Sequence, residues 1–164
     1  MAFVEGKDGG GPAAYRTGCI FCDYPRAPGS PVDEVYDRER LVVHAREHAF
    51  VIMNKYPYSN GHVMVVPRVH THELEALPPE VAAGLSILLR DTVAAVRTAY
   101  QPHGLNLGMN MGRAAGAGLA DHVHWHVVPR WNGDTNFMPV FSDTRVISEG
   151  LLEAYDRLRR VLGP

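Results

Sequence analysis

Two hydrophobic periods alternate along the chain. Apolar runs at 41–45 and 49–54 flank a charged turn, and a third at 61–66 follows the turn-forming stretch Lys55-Tyr56-Pro57-Tyr58-Ser59-Asn60. Short apolar runs bounded by turn residues predict three strands. From 79 to about 100 the period lengthens, and Val81, Leu85, Leu88, Leu89, Val93 and Val96 fall on one helical face. Pro78 and Pro79 mark its start, because a proline in the first turn forfeits no intrahelical hydrogen bond. Gly104 restarts the extended pattern. Leu105, Leu107 and Met109 then alternate with Asn106, Gly108 and Asn110, predicting a strand with one packed face. A Gly/Ala-rich loop, 112–120, leads to a further strand predicted over 121–129. A short amphipathic helix over 148–162 follows, with Leu151, Leu152, Tyr155, Leu158 and Val161 on its inner side. Sequence-adjacent strands with one long and one short helix predict an α+β domain built on an antiparallel sheet.

Punctuation by Gly9-Gly10-Gly11-Pro12 and Ala27-Pro28-Gly29-Ser30-Pro31 makes the segment around the cysteines irregular. The expected organisation is a loose N-terminal segment, 1–18, and a single domain, 19–164. A chain of 164 residues, 46% hydrophobic and 21% charged, suits one domain with a real core. Its net charge of −2 supplies no global basic field, so no nucleic-acid partner is expected. No apolar run reaches bilayer length, so no membrane partner is expected either. Residues 1–11 are Gly-rich and lack the apolar core of a signal peptide, which predicts a cytoplasmic address.

The strongest chemical signal is His122-Val123-His124-Trp125-His126-Val127-Val128. Alternate residues of a strand share a face, so three imidazoles point one way while Val123, Trp125 and Val127 point the other. A surface strand with incidental histidines is the bland reading, and the large apolar alternates argue for a central strand instead. A three-histidine metal site is a second reading. Phosphoryl chemistry is a third, with one imidazole attacking phosphorus and its neighbours donating to the non-bridging oxygens. Spacing does not separate the last two. Cys19 and Cys22, the only cysteines, look more like half of a metal site than a structural disulfide.

His-Val-His-Trp-His-Val-Val resembles the signature of the histidine-triad (HIT) superfamily. Other segments match it in order: Cys19-Ile20-Phe21-Cys22, Asn54 to Tyr58 with Gly61-His62 after it, Pro67-Arg68-Val69-His70, and Asn110 before the Gly-rich loop. Pro129 to Phe137 is similar to a bacterial branch described as diadenosine-tetraphosphate phosphorylase-like or hydrolase-like. The resemblance spans roughly 19–160 and implies a five-stranded antiparallel sheet with a long and a short helix. By the same resemblance His124 is the nucleophile on the α-phosphorus, forming a nucleotidyl-imidazole intermediate that water or phosphate resolves. His126 contacts phosphate, and His62 positions the catalytic imidazoles. Asn54 falls at the ribose, Asn110 at the phosphates, and the backbone amides of Gly116, Gly118 and Leu119 around non-bridging oxygens. Phe21, Ile20 and Phe50 are candidate walls for the base. Cys19, Cys22, His70 and His122 form a closed structural zinc site, as in zinc-bearing members, with His72 a possible substitute ligand. A two-fold homodimer through the long helix and a sheet edge is also implied, with Leu88, Leu89 and Ala94-Ala95 available for it or for the core.

The chain departs from the pattern at Gly118, where dinucleoside-polyphosphate hydrolases often carry Gln and some relatives Ser. No side chain there meets the leaving group. Arg113 stands in the same loop, as a reach for distal phosphates or a solvated arginine. The expected activity is cleavage of a dinucleoside polyphosphate of the diadenosine-tetraphosphate type. Alternatives are a phosphoramidase acting on a nucleoside monophosphate joined to an amine, a nucleotide-binding or sensing module, and a metal-dependent hydrolase ligated by His122, His124 and His126.

Overall fold

The computed structural model describes residues 18–134 and 148–163, so 1–17 of the expected loose segment lie outside the described residues. Five strands form one antiparallel sheet: β1 (Val42–Ala45), β2 (Ala49–Met53), β3 (Val63–Pro67), β4 (Gly104–Met109) and β5 (Trp125–Arg130), ordered β1-β2-β3-β5-β4. The helices are α1 (Ile20–Asp23), α2 (Glu34–Glu39), α3 (Pro79–Tyr100) and α4 (Leu151–Leu162).

Every residue of β2 and β3 is buried, because both faces of the sheet centre are covered. On one face Val43, Val51, Val63, Val65 and Val127 pack against Leu85, Leu88 and Val96 of α3 and Tyr155 and Leu158 of α4. On the other, Val42, Phe50, Ile52, Met64 and Val66 pack around Phe21 and Cys19. Met64 pairs with His126 across β3 and β5, so the histidine-bearing face is this second, thinly covered one. Closeness of the thicker layer is visible at Gly84, where a Cβ would stand 2.9 Å from the His48 side chain. His48, in the turn between β1 and β2, is half-buried under α3.

Two helices escape the hydrophobic pattern. α2 is short and capped by Asp33, whose side chain accepts the Tyr36 N–H at 2.9 Å. α1 is one turn, set by Cys19 and Phe21 turning inward. Two expectations need correction. The last strand begins at Trp125 rather than 121, because Pro67 has no N–H to continue the ladder and its carbonyl is taken by the His122 ring at 2.8 Å. Val123 N–H goes instead to Thr71 O at 2.8 Å. Leu107, Leu152 and Val161 are 47%, 45% and 41% exposed rather than inward. Leu107 lies in the middle of the outer strand β4, and the burial on α4 runs along Ala154, Tyr155 and Leu158. Leu88 and Ala95 lie in the protomer's own core, while Ala94 is exposed.

At the β1 end of the sheet, Tyr155 Oη donates to Val42 O at 3.3 Å and Arg159 Nη1 to Val43 O at 2.6 Å. These side chains of α4 occupy main-chain acceptors of β1. Among the described residues no strand lies outside β4.

Candidate functional site

Four imidazoles gather on the thinly covered face, and their hydrogen bonds fix their tautomers. His124 Nδ1 lies 2.9 Å from the His122 carbonyl. A carbonyl only accepts, so Nδ1 carries the proton and Nε2 keeps its lone pair. His62 Nδ1 accepts the Tyr58 N–H at 3.0 Å, which puts its proton on Nε2. That Nε2–H donates to His126 Nδ1 at 3.0 Å, so His126 in turn presents Nε2–H as a donor. The His124 and His126 rings stand 4.9 Å apart, edge to face. A nucleophilic nitrogen and a hydrogen-bond donor therefore sit side by side, as attack on phosphorus with stabilisation of its oxygens requires.

Burial keeps all of these rings neutral. It pushes His62 down to about 3, with help from the charges of His126 and His124. His126 falls to about 4 by burial and then by His124. His124 is lowered by burial, against the opposing pull of the His122 carbonyl.

Around them, Asn54 Oδ1 accepts the Tyr56 N–H at 2.9 Å while its Nδ2 lies 3.4 Å from the His62 ring. Tyr58 stacks 4.6 Å from His62 and 5.9 Å from His126. It is the site residue that the sequence reading missed; its position four residues before His62 was the available signal. A shallow groove of about 320 Å³ opens beside His126, lined by Tyr58, Asn106, Gly108, Asn110 and Arg130. Asn110, just beyond β4, thus reaches the same space as His126.

Two expected contacts change. Phe21 is 1% exposed, its ring 5.0 Å from His124 and 5.4 Å from His122, so it backs the imidazoles rather than offering a free wall. Phe50 is likewise fully buried, leaving Ile20 as the half-exposed member. In the Gly-rich loop, Gly116 N–H is spent on Arg113 O at 3.0 Å and Ala117 N–H on Gly112 O at 3.4 Å. Gly116, at φ +86°, closes the loop's turn rather than facing a ligand. The amides of Gly118 and Leu119 remain free among the described residues. Arg113 is exposed. His44 meets Gly163 O at 3.1 Å, and His103 accepts the Asn132 N–H at 2.9 Å.

Beside the triad, the donor atoms of Cys19, Cys22, His70 and His122 all lie within 4.8 Å of one another. Cys22 Sγ is 3.2 Å from His70 Nδ1, and His122 Nδ1 is 3.5 Å from Cys19 Sγ and 3.8 Å from Cys22 Sγ. Tetrahedral ligation with sulfur and nitrogen at their usual zinc distances sets these edges at about 3.6 Å. His122 gives its Nε2–H to Pro67 O, so Nδ1 faces the sulfurs with a lone pair, held neutral by burial that lowers it to about 4. The four residues fit a closed divalent metal site. His72, 69% exposed at the side chain, stands outside it beside Glu73.

A sheet of this order, with alternate imidazoles on its open face, defines a class, and comparison with known proteins identifies it. The HIT domain family model matches residues 37–133, and the chain belongs to the HIT family. It is 38% identical over 125 residues to "AP-4-A phosphorylase" of Mycobacterium tuberculosis, covering 76% of this chain and 64% of that protein. The chain therefore spans just under two thirds of the length of that relative. Among solved structures it is similar to a Zn-bound histidine triad family protein from Mycobacterium smegmatis (32% identity, TM-score 0.61, 74% of this chain and 83% of that one). A histidine triad nucleotide-binding protein from Sulfolobus tokodaii superposes with TM-score 0.62 at 27% identity, over 88% and 89% of the two chains.

Proposed function

We propose that this chain is a nucleotidyl-transferring enzyme that cleaves dinucleoside polyphosphates through a covalent intermediate on His124. The observation that carries this reading is the pairing of His124, whose Nε2 lone pair is free, with His126, whose Nε2–H is free. In the first step Nε2 of His124 attacks the α-phosphorus, a P–N bond forms, and the bond to the bridging oxygen breaks. The nucleoside polyphosphate leaves. The ring now carries positive charge, which the His122 carbonyl stabilises through Nδ1–H. His126 and the amides of Gly118 and Leu119 donate to the non-bridging oxygens, Asn110 stands on the phosphate side, and Asn54 holds the ribose. In the second step the oxygen of water or phosphate attacks, the P–N bond breaks with its electron pair returning to His124 Nε2, and the proton of an attacking water passes to solvent.

The similarity to "AP-4-A phosphorylase" supports the substrate class. The test is incubation with diadenosine tetraphosphate, with and without phosphate: ADP formed only with phosphate means phosphorolysis, AMP plus ATP means hydrolysis. Substituting His124→Asn removes turnover and leaves nucleotide binding; full activity in that variant would sink the assignment. A second reading, phosphoramidase activity, is favoured by Gly118, which is exposed and places no side chain near the leaving group. An AMP-amine substrate turned over faster than diadenosine tetraphosphate selects it.

The metal at Cys19, Cys22, His70 and His122 is zinc, in a structural role, supported by the two thiolates in the donor set and the Zn-bound relative. When bound it ties the cysteine-bearing segment to the sheet; no step of the reaction runs through it. The proposal extends to residues 19–164 acting as one domain, a cytoplasmic address, a nucleotide as partner rather than nucleic acid or membrane, and a homodimer. No helix among the described residues is long and apolar enough to cross a membrane. Support for the dimer is the outer position of β4 with Leu107 on its surface.

A further inference from the structure

At the opposite end of β2 and β3 from Asn54 and His62 lies a cavity of about 360 Å³, a volume within the range of small-molecule sites. The strands separate the two places by roughly 20 Å, at about 3.3 Å per residue. The loop after α1, the β1–β2 hairpin, the residue after β3 and the end of α4 enclose it, each contributing an arginine: Arg26, Arg46, Arg68 and Arg159. Asp37 and Glu47 are the acidic residues in the lining.

These charges do not balance. Asp37, 2% exposed, takes Arg26 in a two-point bond at 2.9 and 2.7 Å and is also the acceptor for Arg159 at 3.5 Å. One carboxylate thus serves two guanidinium groups. Arg46 meets Asp91 at 2.8 Å, but Asp91 also holds Arg90 at 2.7 Å. Arg68 has no carboxylate within ion-pair distance among the described residues. Its Nε and Nη1 donate to the carbonyls of Arg46 and Arg26, both at 2.7 Å, and its Nη2 is uncommitted.

The carbonyl bonds hold the Arg68 fork in one orientation, and the Asp37 clamp holds Arg26 and Arg159 behind it. A planar guanidinium held rigid beside further cations is the arrangement that recognises phosphate oxygens. We infer that this cavity is a second ligand site, separate from the triad, which binds a phosphate dianion between Arg68 and Arg46. The same chemistry is offered by inorganic phosphate and by the terminal phosphate of a nucleotide. This inference does not rest on the nucleotidyl-transfer reading.

The test is a titration of the full chain with inorganic phosphate and, separately, with ADP, at constant ionic strength made up with chloride. Arginine Nε–H and backbone amide resonances are followed by NMR. Saturable shifts at Arg68, Arg26 and the Ala27, Gly29 and Ser30 amides are expected, and the ligand that saturates them at lower concentration identifies the source. Arg68→Gln weakens this binding at least about tenfold. Should that variant fail to fold, Arg46→Gln, on the surface, carries the same expectation. The inference is overturned by the absence of a saturable shift at these residues up to about 10 mM of either ligand. It is equally overturned by shifts confined to the Gly118 and Leu119 amides, or by a folded variant that binds like the parent.

Discussion

Acidification from about pH 7.5 to about pH 5.5 tests the neutral imidazole cluster directly, because the unfolded chain takes up protons that the folded one refuses. In the folded protein His62 is held to about 3, and His122 and His126 to about 4. Each returns to about 6.5 on unfolding. Folded values below unfolded ones give stability that is complete above about pH 6.5 and is lost as the pH falls toward the folded values. At about pH 5.5 each such histidine costs about 1.4 kcal/mol, so the three together cost about 4 kcal/mol. His124, lowered in the same direction, adds to the loss. Against a whole-domain stability of about 5–15 kcal/mol this is a large fraction. Urea unfolding of the zinc-free protein, in which His122 is not held by metal, measures it at several pH values. In His126→Gln, which removes one of the three, the loss between the same pH values shrinks to about 3 kcal/mol. A loss below about 1 kcal/mol in the parent, or imidazole NMR resonances titrating near 6.5, would refute the buried neutral cluster.

Further outcomes follow from individual contacts. His62→Phe keeps the ring volume but leaves His126 Nδ1 without its donor, so kcat falls about 100-fold with KM little changed in steady-state kinetics; an unchanged kcat removes His62 from the positioning role. Metal analysis finds about one zinc per chain, and chelation lowers the melting temperature, while Cys19→Ser/Cys22→Ser neither binds zinc nor responds to chelator. Gly61→Ala destabilises by about 2 kcal/mol or more in urea unfolding. Gly61 sits at φ +71°, and its Cβ would stand 2.5 Å from the Tyr100 ring.

The periodic elements were legible because burial imposes them: α3 from its apolar face, and β2 and β3 from their unbroken runs. The loss of Leu107 from the packed face was not, since alternation reports which face a side chain takes and not how far the covering layer extends. The early end of the β5 ladder depends on one proline and one imidazole competing for backbone groups, a tertiary event between residues 67 and 122. Cys19 and Cys22 were readable from their spacing as half of a metal site, whereas His70 and His122 were readable only through family resemblance, because the fold brings them to the cysteines. Gly116 misled for a local reason: a glycine beside phosphate and a glycine closing a turn look alike until the amide's partner is known. The arginine cavity left no trace in the sequence, its four members being scattered from 26 to 159.

The two outer strands of the sheet are not equivalent. Tyr155 and Arg159 have already spent acceptors of β1, whereas β4 has no strand beyond it among the described residues. A second copy joining at β4 would leave a doubled sheet whose termini are both β1, each stoppered by its own α4. Accretion by strand addition then ends at a pair, so the same two side chains that anchor a helix also work against fibril growth.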